Sequence, residues 1–454
     1  MSELSQSTNF RSFFQANWTN MFNPMAFSLI AYVLYFIINY LGTQIFTTAI
    51  YGDLFLAWTW IIIAGSCIML GVDQSSRIFV SNFLFRKDLD DIKKYMHWGL
   101  KFVRVSCTLS VLIAILCFLL FDPTNLNSHP LFRLDYSQWT SFYAFIFLST
   151  PIVGLTNWAS SLLIAYKNTS ASTFLQFAAI DCILIVIMGM CYAFLPLPLS
   201  GFDGRLILLF SFTMVTLIAI LMCAYKIKNF FKVCFTHQFN IKPKKGWKEE
   251  CYKQALNMFI FNAIDNLDII LMGFFEKGNN DVAYYNLSLM IITLIVMIPY
   301  SVFQYLTPDI NFFLKKANRT AELQSLWNKT MLINGLLTLI VSVITYIYMN
   351  QILAIFGSQY HSAKPFLVIL LAGNCFSSLI GAPYFILQYG NYVRMFVYIN
   401  LLCIATMIIM ALILVPNVGS VGIAYASITA SILQAAASAF IVKRYTNIKP
   451  LGFI

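Results

Sequence analysis

Charge is scarce in this chain. Only 10% of its 454 residues are Asp, Glu, Lys or Arg, against 59% hydrophobic residues, and the mean hydropathy is +0.75. So little polar surface cannot cover a water-soluble globule of this length, so a water-soluble protein is excluded. Histidine is scarcer still: His97, His129, His237 and His361 are dispersed over what read as loops. No HExxH, Walker loop, Gly-x-Ser-x-Gly or clustered ligand set occurs, so neither a metal nor a cofactor is expected, and the chain does not read as an enzyme. Paired cysteines are missing too. The ten Cys are scattered singly, mostly in apolar runs (Cys67, Cys107, Cys182, Cys191, Cys375), which reads as packing. The first 20 residues are polar, without a short apolar region ending in a small-residue cleavage site. No removable signal peptide is therefore expected, and the first apolar span serves as the targeting signal. Large outer loops, which a membrane glycosyltransferase or polymerase would need, are also lacking; the longest is about 122–138.

What the chain has in abundance is apolar runs of membrane-crossing length. A hydrocarbon core of about 30 Å needs roughly 20 apolar residues per helix. About twelve such runs are present, near 26–48, 54–80, 102–121, 139–165, 172–195, 205–225, 255–275, 282–306, 330–349, 366–389, 393–415 and 418–442. Their length and continuity exclude an outer-membrane barrel, which would alternate over ten-residue strands. The fold class expected is an all-α polytopic membrane protein.

Basic residues fall on alternate loops. Arg86, Lys87, Lys93 and Lys94 follow span two, and a lysine-rich connection, KIKNFFKVCFTHQFNIKPKKGWKEECYKQ, follows span six. Lys315, Lys316, Arg319 and Lys329 follow span eight, and Lys443, Arg444 and Lys449 end the chain. The other loops carry only Arg133, Arg205, Lys277 and Lys364. By the positive-inside rule both termini face the cytoplasm. The formal charge of +11 then reads as topology and contact with anionic membrane lipids, not as nucleic-acid binding.

The lysine-rich connection divides the chain into 1–225, a linker at 226–254, and 255–454. Six spans on each side make two six-helix lobes. SLLIAYKN after span four and FILQYGN after span ten match at an offset of about 223 residues. FLPLPLSGFDG and ILVPNVGSVG precede the last span of each lobe, and AYKIKNF and VKRYTN end them. The common order points to a duplicated six-helix unit in parallel orientation. Parallel lobes flanking a cavity imply transport.

Carboxylates inside such spans carry the strongest local signal, because a charge at bilayer depth costs at least about 2.5–3.5 kcal/mol. In FNAIDNLDIILMGFF, Asp265 and Asp268 lie three residues apart, on nearly one face of span seven. Such a pair can share a proton or bind a cation; equally, it can accept hydrogen bonds that hold the span in place. Asp181 is a lone carboxylate in span five. Asp73 and Arg77, in GVDQSSRIF, are spaced to pair along one helix, or Arg77 can face a cavity and receive a pyrophosphate. Arg104, Arg394 and Lys167, at span ends, either snorkel to lipid phosphates or line the mouth of the cavity. Pro151, Pro299 and Pro383 are expected to bend spans four, eight and ten.

Several longer stretches resemble polysaccharide-biosynthesis flippases. LDIILMGFFEKGNNDVAYYNLSLMIITLI is similar to that family's seventh and eighth helices, and ILAIFGSQYHSAKPFLVILLAGNCFSSLIGAPYFILQYGN and LVPNVGSVGIAYASITASI to its later ones. YGDLFLAWTWIIIAGSCIMLGVDQSSRIF is similar to its second. The resemblance implies a twelve-helix, two-lobed fold of the multidrug, oligosaccharidyl-lipid and polysaccharide exporter superfamily. It further implies an O-antigen or capsule type of flippase in the bacterial cytoplasmic (inner) membrane. Its substrate would be an undecaprenyl-diphosphate-linked oligosaccharide, moved by alternating access and coupled to a proton or sodium ion. Glycosyltransferases and a polysaccharide polymerase would be its neighbours in function. On this resemblance Arg77, Arg104, Arg394 and Lys167 form the cationic cavity. Asp265, Asp268, Asp181 and Asp73 are the coupling candidates, with Asp268 at the family's span-seven Asp position. Multidrug exporters share the plan, and cation-coupled export of a small molecule is the alternative.

Overall fold

The computed structural model of the protein describes residues 30, 32–120, 136–166, 168, 171–172, 174–226, 246–275, 280–296, 320–380, 383–389, 392–446 and 448–449. Their regular structure is helical. In the first half of the chain lie α1 (32–45), α2 (Thr48–Ile68), α3 (Val72–Phe85), α4 (Leu89–Leu120) and α5 (Tyr136–Ala165). A π-helical turn at Phe174–Ala178 leads into α6 (Ala179–Phe194), and α7 (Gly201–Lys226) closes the half. The second half contains α8 (Trp247–Phe275), α9 (Asn280–Val296), α10 (Thr320–Ile347), α11 (Met349–Phe356) and α12 (Lys364–Ile380). After them come α13 (Tyr384–Tyr389), α14 (Val393–Val418) and α15 (Val421–Thr446).

Eight of these helices are long and apolar enough to cross a membrane, and α6 and α9 are shorter apolar helices. Their outer faces leave Leu109, Leu112, Leu336, Ile340, Leu412 and Ile413 exposed. Apolar faces of that extent belong in lipid. The protein is an integral, multi-pass membrane protein, and described helix falls in every expected span. The inner face of α10 is the converse of its outer one: Asn334, Thr338, Ser342 and Thr345, spaced at helical repeat, are all buried.

Several spans differ from expectation. Span two is not one helix: it breaks at Leu70 and Gly71, both left-handed (φ 47° and 75°), between α2 and α3. The break lets the backbone of α8 come in. A Cβ on Gly71 would lie 1.9 Å from the Cys251 carbonyl oxygen, so only glycine fits. Span ten is likewise interrupted, with Pro383 at the turn before α13, where its missing amide hydrogen costs no helical hydrogen bond. Pro151, in contrast, sits within the continuous helix α5, and Pro299 lies outside the described residues. Span three begins early, at Leu89, because Asp88 caps it: its carboxylate accepts from the Asp91 amide at 3.0 Å. Acidic Asp90 and Asp91 in the first turn complement the helix dipole. His97 consequently lies in α4 and not in a loop.

Helix α8 also starts before the expected span, and its start docks on the first half. Trp247 is buried among Tyr95, Trp98 and Phe83, with ring centroids at 5.1, 5.6 and 6.3 Å. Ser75 Oγ lies 2.6 Å from Tyr95 Oη and 3.0 Å from Cys251 Sγ. Along its length α8 packs on α2 and α3 from one half and on α14 and α15 from the other. The apolar core is correspondingly divided. A large cluster joins the halves, and within it Phe46 and Tyr51 lie alongside Tyr285, Phe356 and Tyr360 at the end away from the basic loops. The smaller cluster, at the basic end, contains first-half residues and only Trp247 and Cys251 from α8.

Two glycine substitutions separate backbone from side-chain contact. Gly71→Ala is expected to cost about 1–2 kcal/mol for the left-handed backbone alone, plus the clash with Cys251. Gly273→Ala meets only the flexible end of Leu56 at 2.6 Å and is expected to cost less. Melting temperatures of the two purified variants check the order.

Candidate functional site

The carboxylates of α8 are separated by their surroundings. Asp268 is 5% exposed and points into the second half. Its Oδ2 accepts from Tyr285 Oη of α9 at 2.7 Å and from Ser427 Oγ of α15 at 3.1 Å, and its Oδ1 from the Ile269 amide at 2.9 Å. All three donors are neutral, and among the described residues no Lys, Arg or His forms an ion pair with it. Asp265, one turn nearer the basic end, is exposed. The three-residue spacing turns the two carboxylates about 60° apart around the helix. One is thus held by three donors, and the other is exposed.

Asp181 sits in the first turn of α6, directly after the π-helical turn, a distortion that leaves backbone groups out of register and recurs at functional sites. Its side chain borders a cavity of about 80 Å³ within the first half. Tyr35, Asn39, Tyr51, Trp58 and Met188 line the cavity with it. Asp181 is mostly buried, yet no described residue gives it a hydrogen bond or an ion partner. A carboxylate so placed has room beside it for a cation or a proton-carrying group.

Asp73 and Arg77 do not pair. Arg77 Nε instead donates to Ser161 Oγ of α5 at 3.1 Å, which leaves the guanidinium half-buried at the basic end. Asp73 is 2% exposed; one of its oxygens accepts from Gln74 Nε2 at 3.3 Å and the other, Oδ1, has no partner among the described residues. Arg104 and Arg394 are exposed on α4 and α14. Lys167 lies outside the described residues, as does most of the lysine-rich linker. The seven described candidates therefore do not converge on one spot: two are together on α8, Asp181 has its own cavity, and Asp73 and Arg77 mark the basic end.

Several polar partners escape local sequence reading. Arg205, noted only as a loop charge, forms a 2.7 Å ion pair with Asp53 and lies over the Phe142 ring at 5.7 Å. Asn39, Tyr51 and Asn286 form a buried cluster between the halves. An amide within an apolar run was the one available signal for Asn39 and Asn286; the partners, hundreds of residues away, had none.

No family model and no curated protein matches the sequence. Solved structures do match the fold. A multidrug resistance MATE family transporter of the MOP superfamily, in its inward-facing conformation, aligns with a TM-score of 0.69 at 11% identity, covering 92% of this chain and 94% of that one. The outward-facing conformation of such a transporter aligns with a TM-score of 0.59 at 11% identity, over 93% and 94%. A MATE transporter of Vibrio cholerae aligns at 0.58 and 14% identity, over 98% and 99%. The chain thus has the two-lobed helical fold of MATE transporters.

The surroundings of Asp268 make its removal unequal to that of its donors. Tyr285→Phe deletes one of three hydrogen bonds and is expected to cost about 1 kcal/mol. Asp268→Leu strands two hydroxyl donors and is expected to cost about 1–3 kcal/mol, whereas exposed Asp265→Leu should be close to neutral. Thermal unfolding of the three variants in one detergent checks the ranking.

Proposed function

We propose that the protein is a flippase of the bacterial inner membrane that moves an undecaprenyl-diphosphate-linked oligosaccharide from the cytoplasmic to the outer leaflet. The basic end is taken as cytoplasmic, and the working division is into lobes 1–225 and 255–454 joined by 226–254. Arg77 is the observation that carries the substrate class. Its guanidinium is half-buried at the basic end and held by an Nε bond to Ser161, its one hydrogen bond among the described residues. With Asp73 turned to Gln74, the terminal nitrogens are left to meet a diphosphate in bidentate fashion. Exposed Arg104 and Arg394, with Lys167, extend that cationic mouth toward the headgroup while the polyprenyl tail stays in lipid.

Alternating access supplies the movement. The halves meet at the non-basic end through contacts such as Phe36 with Phe356, and parting and rejoining there is the movement this reading requires. Exchange of a proton or sodium ion at Asp265, steadied by neighbouring Asp268, and at Asp181, is the coupling step. Asp73 is the weakest of the coupling residues, since it is shielded from any cavity described. Glycosyltransferases would supply the lipid-linked saccharide and a polymerase would consume it.

A second reading is favoured by the Asp181 cavity. Aromatic rings and one carboxylate suit an organic cation, which would make the protein a cation-coupled exporter of small molecules.

Translocation of a fluorescent lipid-linked oligosaccharide in proteoliposomes decides between them. Arg77→Ala is expected to slow flipping roughly tenfold or more, the scale of a lost charge-assisted contact to phosphate, and Arg77→Lys to restore part of it. Asp265→Asn combined with Asp268→Asn should abolish the dependence on an ion gradient. Absence of flipping by folded wild type, with efflux of an organic cation that Asp181→Asn abolishes, would establish the second reading.

A further inference from the structure

The cavity beside Asp181 shares two of its walls with the contact between the halves. Asn39 of α1 and Tyr51 of α2 line it, and both reach Asn286 of α9 across the interface. Asn286 Nδ2 donates to Tyr51 Oη at 3.0 Å and to Asn39 Oδ1 at 3.3 Å, while the Tyr51 hydroxyl donates to Asn39 Oδ1. Asn39 is itself anchored through Nδ2 to the Tyr35 carbonyl at 2.7 Å, and Tyr35 is a third residue of the cavity wall. Asn286 has no exposed surface, and its Oδ1 has no partner among the described residues.

Aromatic contacts wall this cluster in. Phe356 packs on Phe36 with centroids 5.3 Å apart, and Tyr360 on Tyr51 at 6.5 Å. Gln44 Nε2 donates to the Phe356 carbonyl at 3.4 Å. If the halves part at this end, Asn286 Nδ2 loses both acceptors, so the closed arrangement persists only while Asn39 and Tyr51 keep their present orientation. Those two side chains are also the polar neighbours that any occupant of the Asp181 cavity would meet.

We infer that Asn286 is the positioning residue through which occupancy of the Asp181 cavity controls closure of the two halves at the non-basic end. The inference rests on the alternating-access reading. An occupant that draws Asn39 or Tyr51 toward Asp181 withdraws the acceptors from Asn286 and favours separation, in proportion to how much better it binds the separated state. Asn286 touches no substrate in this scheme. Its effect is on the balance between states.

The test is a distance measurement on the full chain in lipid nanodiscs. Spin labels at Leu195 and Tyr348, exposed residues at the same end of opposite halves, are introduced by cysteine substitution in a background with the native cysteines replaced. Pulsed electron resonance then reads the separation in wild type, Asn286→Leu, Asp181→Asn and the double variant. Asn286→Leu is expected to raise the long-distance to short-distance ratio roughly fivefold or more. Asp181→Asn should shift the ratio with Asn286 present and add nothing in its absence. Tyr51→Phe, which keeps the ring, serves if Asn286→Leu does not fold, and is expected to shift the ratio in the same direction. Unchanged distances in folded variants, or shifts that simply add, overturn the inference. Flipping that persists while the distances stay unmoved overturns the role of Asn286 alone. Distances that shift in a protein that flips no lipid-linked saccharide overturn the substrate reading alone.

Discussion

Polar groups carried into hydrocarbon have no water to turn to, and the placement of this chain's few buried polar side chains follows from that. Asp268 draws Tyr285 from α9 and Ser427 from α15 onto one carboxylate. Asn39, Tyr51 and Asn286 satisfy one another across the halves. Arg205 and Asp53 do the same between α7 and α2. Apolar packing alone would let these helices slide and rotate, since lipid competes equally well for a leucine. The polar contacts specify which helices meet and at which level.

Helix α8 is where these constraints meet. By order in the chain it opens the second half, yet its first turns are packed in the aromatic nest of the first half around Tyr95 and Trp98. Seven residues from its far end, Asp268 is fixed to the second half. Exposed Asp265 lies between these two attachments. A helix packed on both halves is strained by any relative rotation of them, and a carboxylate between its attachments is well placed to feel that strain.

The class of fold was legible in the sequence because hydropathy is a summed property: each apolar run of about twenty residues reports itself without reference to the others. Interruptions were less legible. Gly71 breaks span two because the Cys251 carbonyl approaches it, and a contact between residues so distant leaves no local trace beyond the glycine itself. The early starts of α4 and α8 could be read from Asp88, Asp90 and Glu249, which are acidic helix-start residues, although hydropathy alone passes over them. At the site, scarcity was the guide. Asp181, Asp265 and Asp268 stood out as charges in apolar runs, whereas Asn39, Tyr51 and Asn286 are individually ordinary. Of the two readings open for Asp73 and Arg77, an ion pair does not form, because spacing permits contact but does not compel it, and Ser161 offers the guanidinium a partner on another helix.

The partners of Asp268 are also separated in time. Tyr285 follows it by 17 residues in the chain, but Ser427 follows by 159. At about 5–20 residues per second, the second donor is synthesised roughly ten to thirty seconds after the carboxylate. During that interval α8 cannot rest in the bilayer with its final set of hydrogen bonds. Tyr285, only a short hairpin away, is the donor that reaches it first. Helices α8 and α9 are therefore suited to enter the membrane as a pair, with the arrival of α15 completing the site as the last helix of the chain is made.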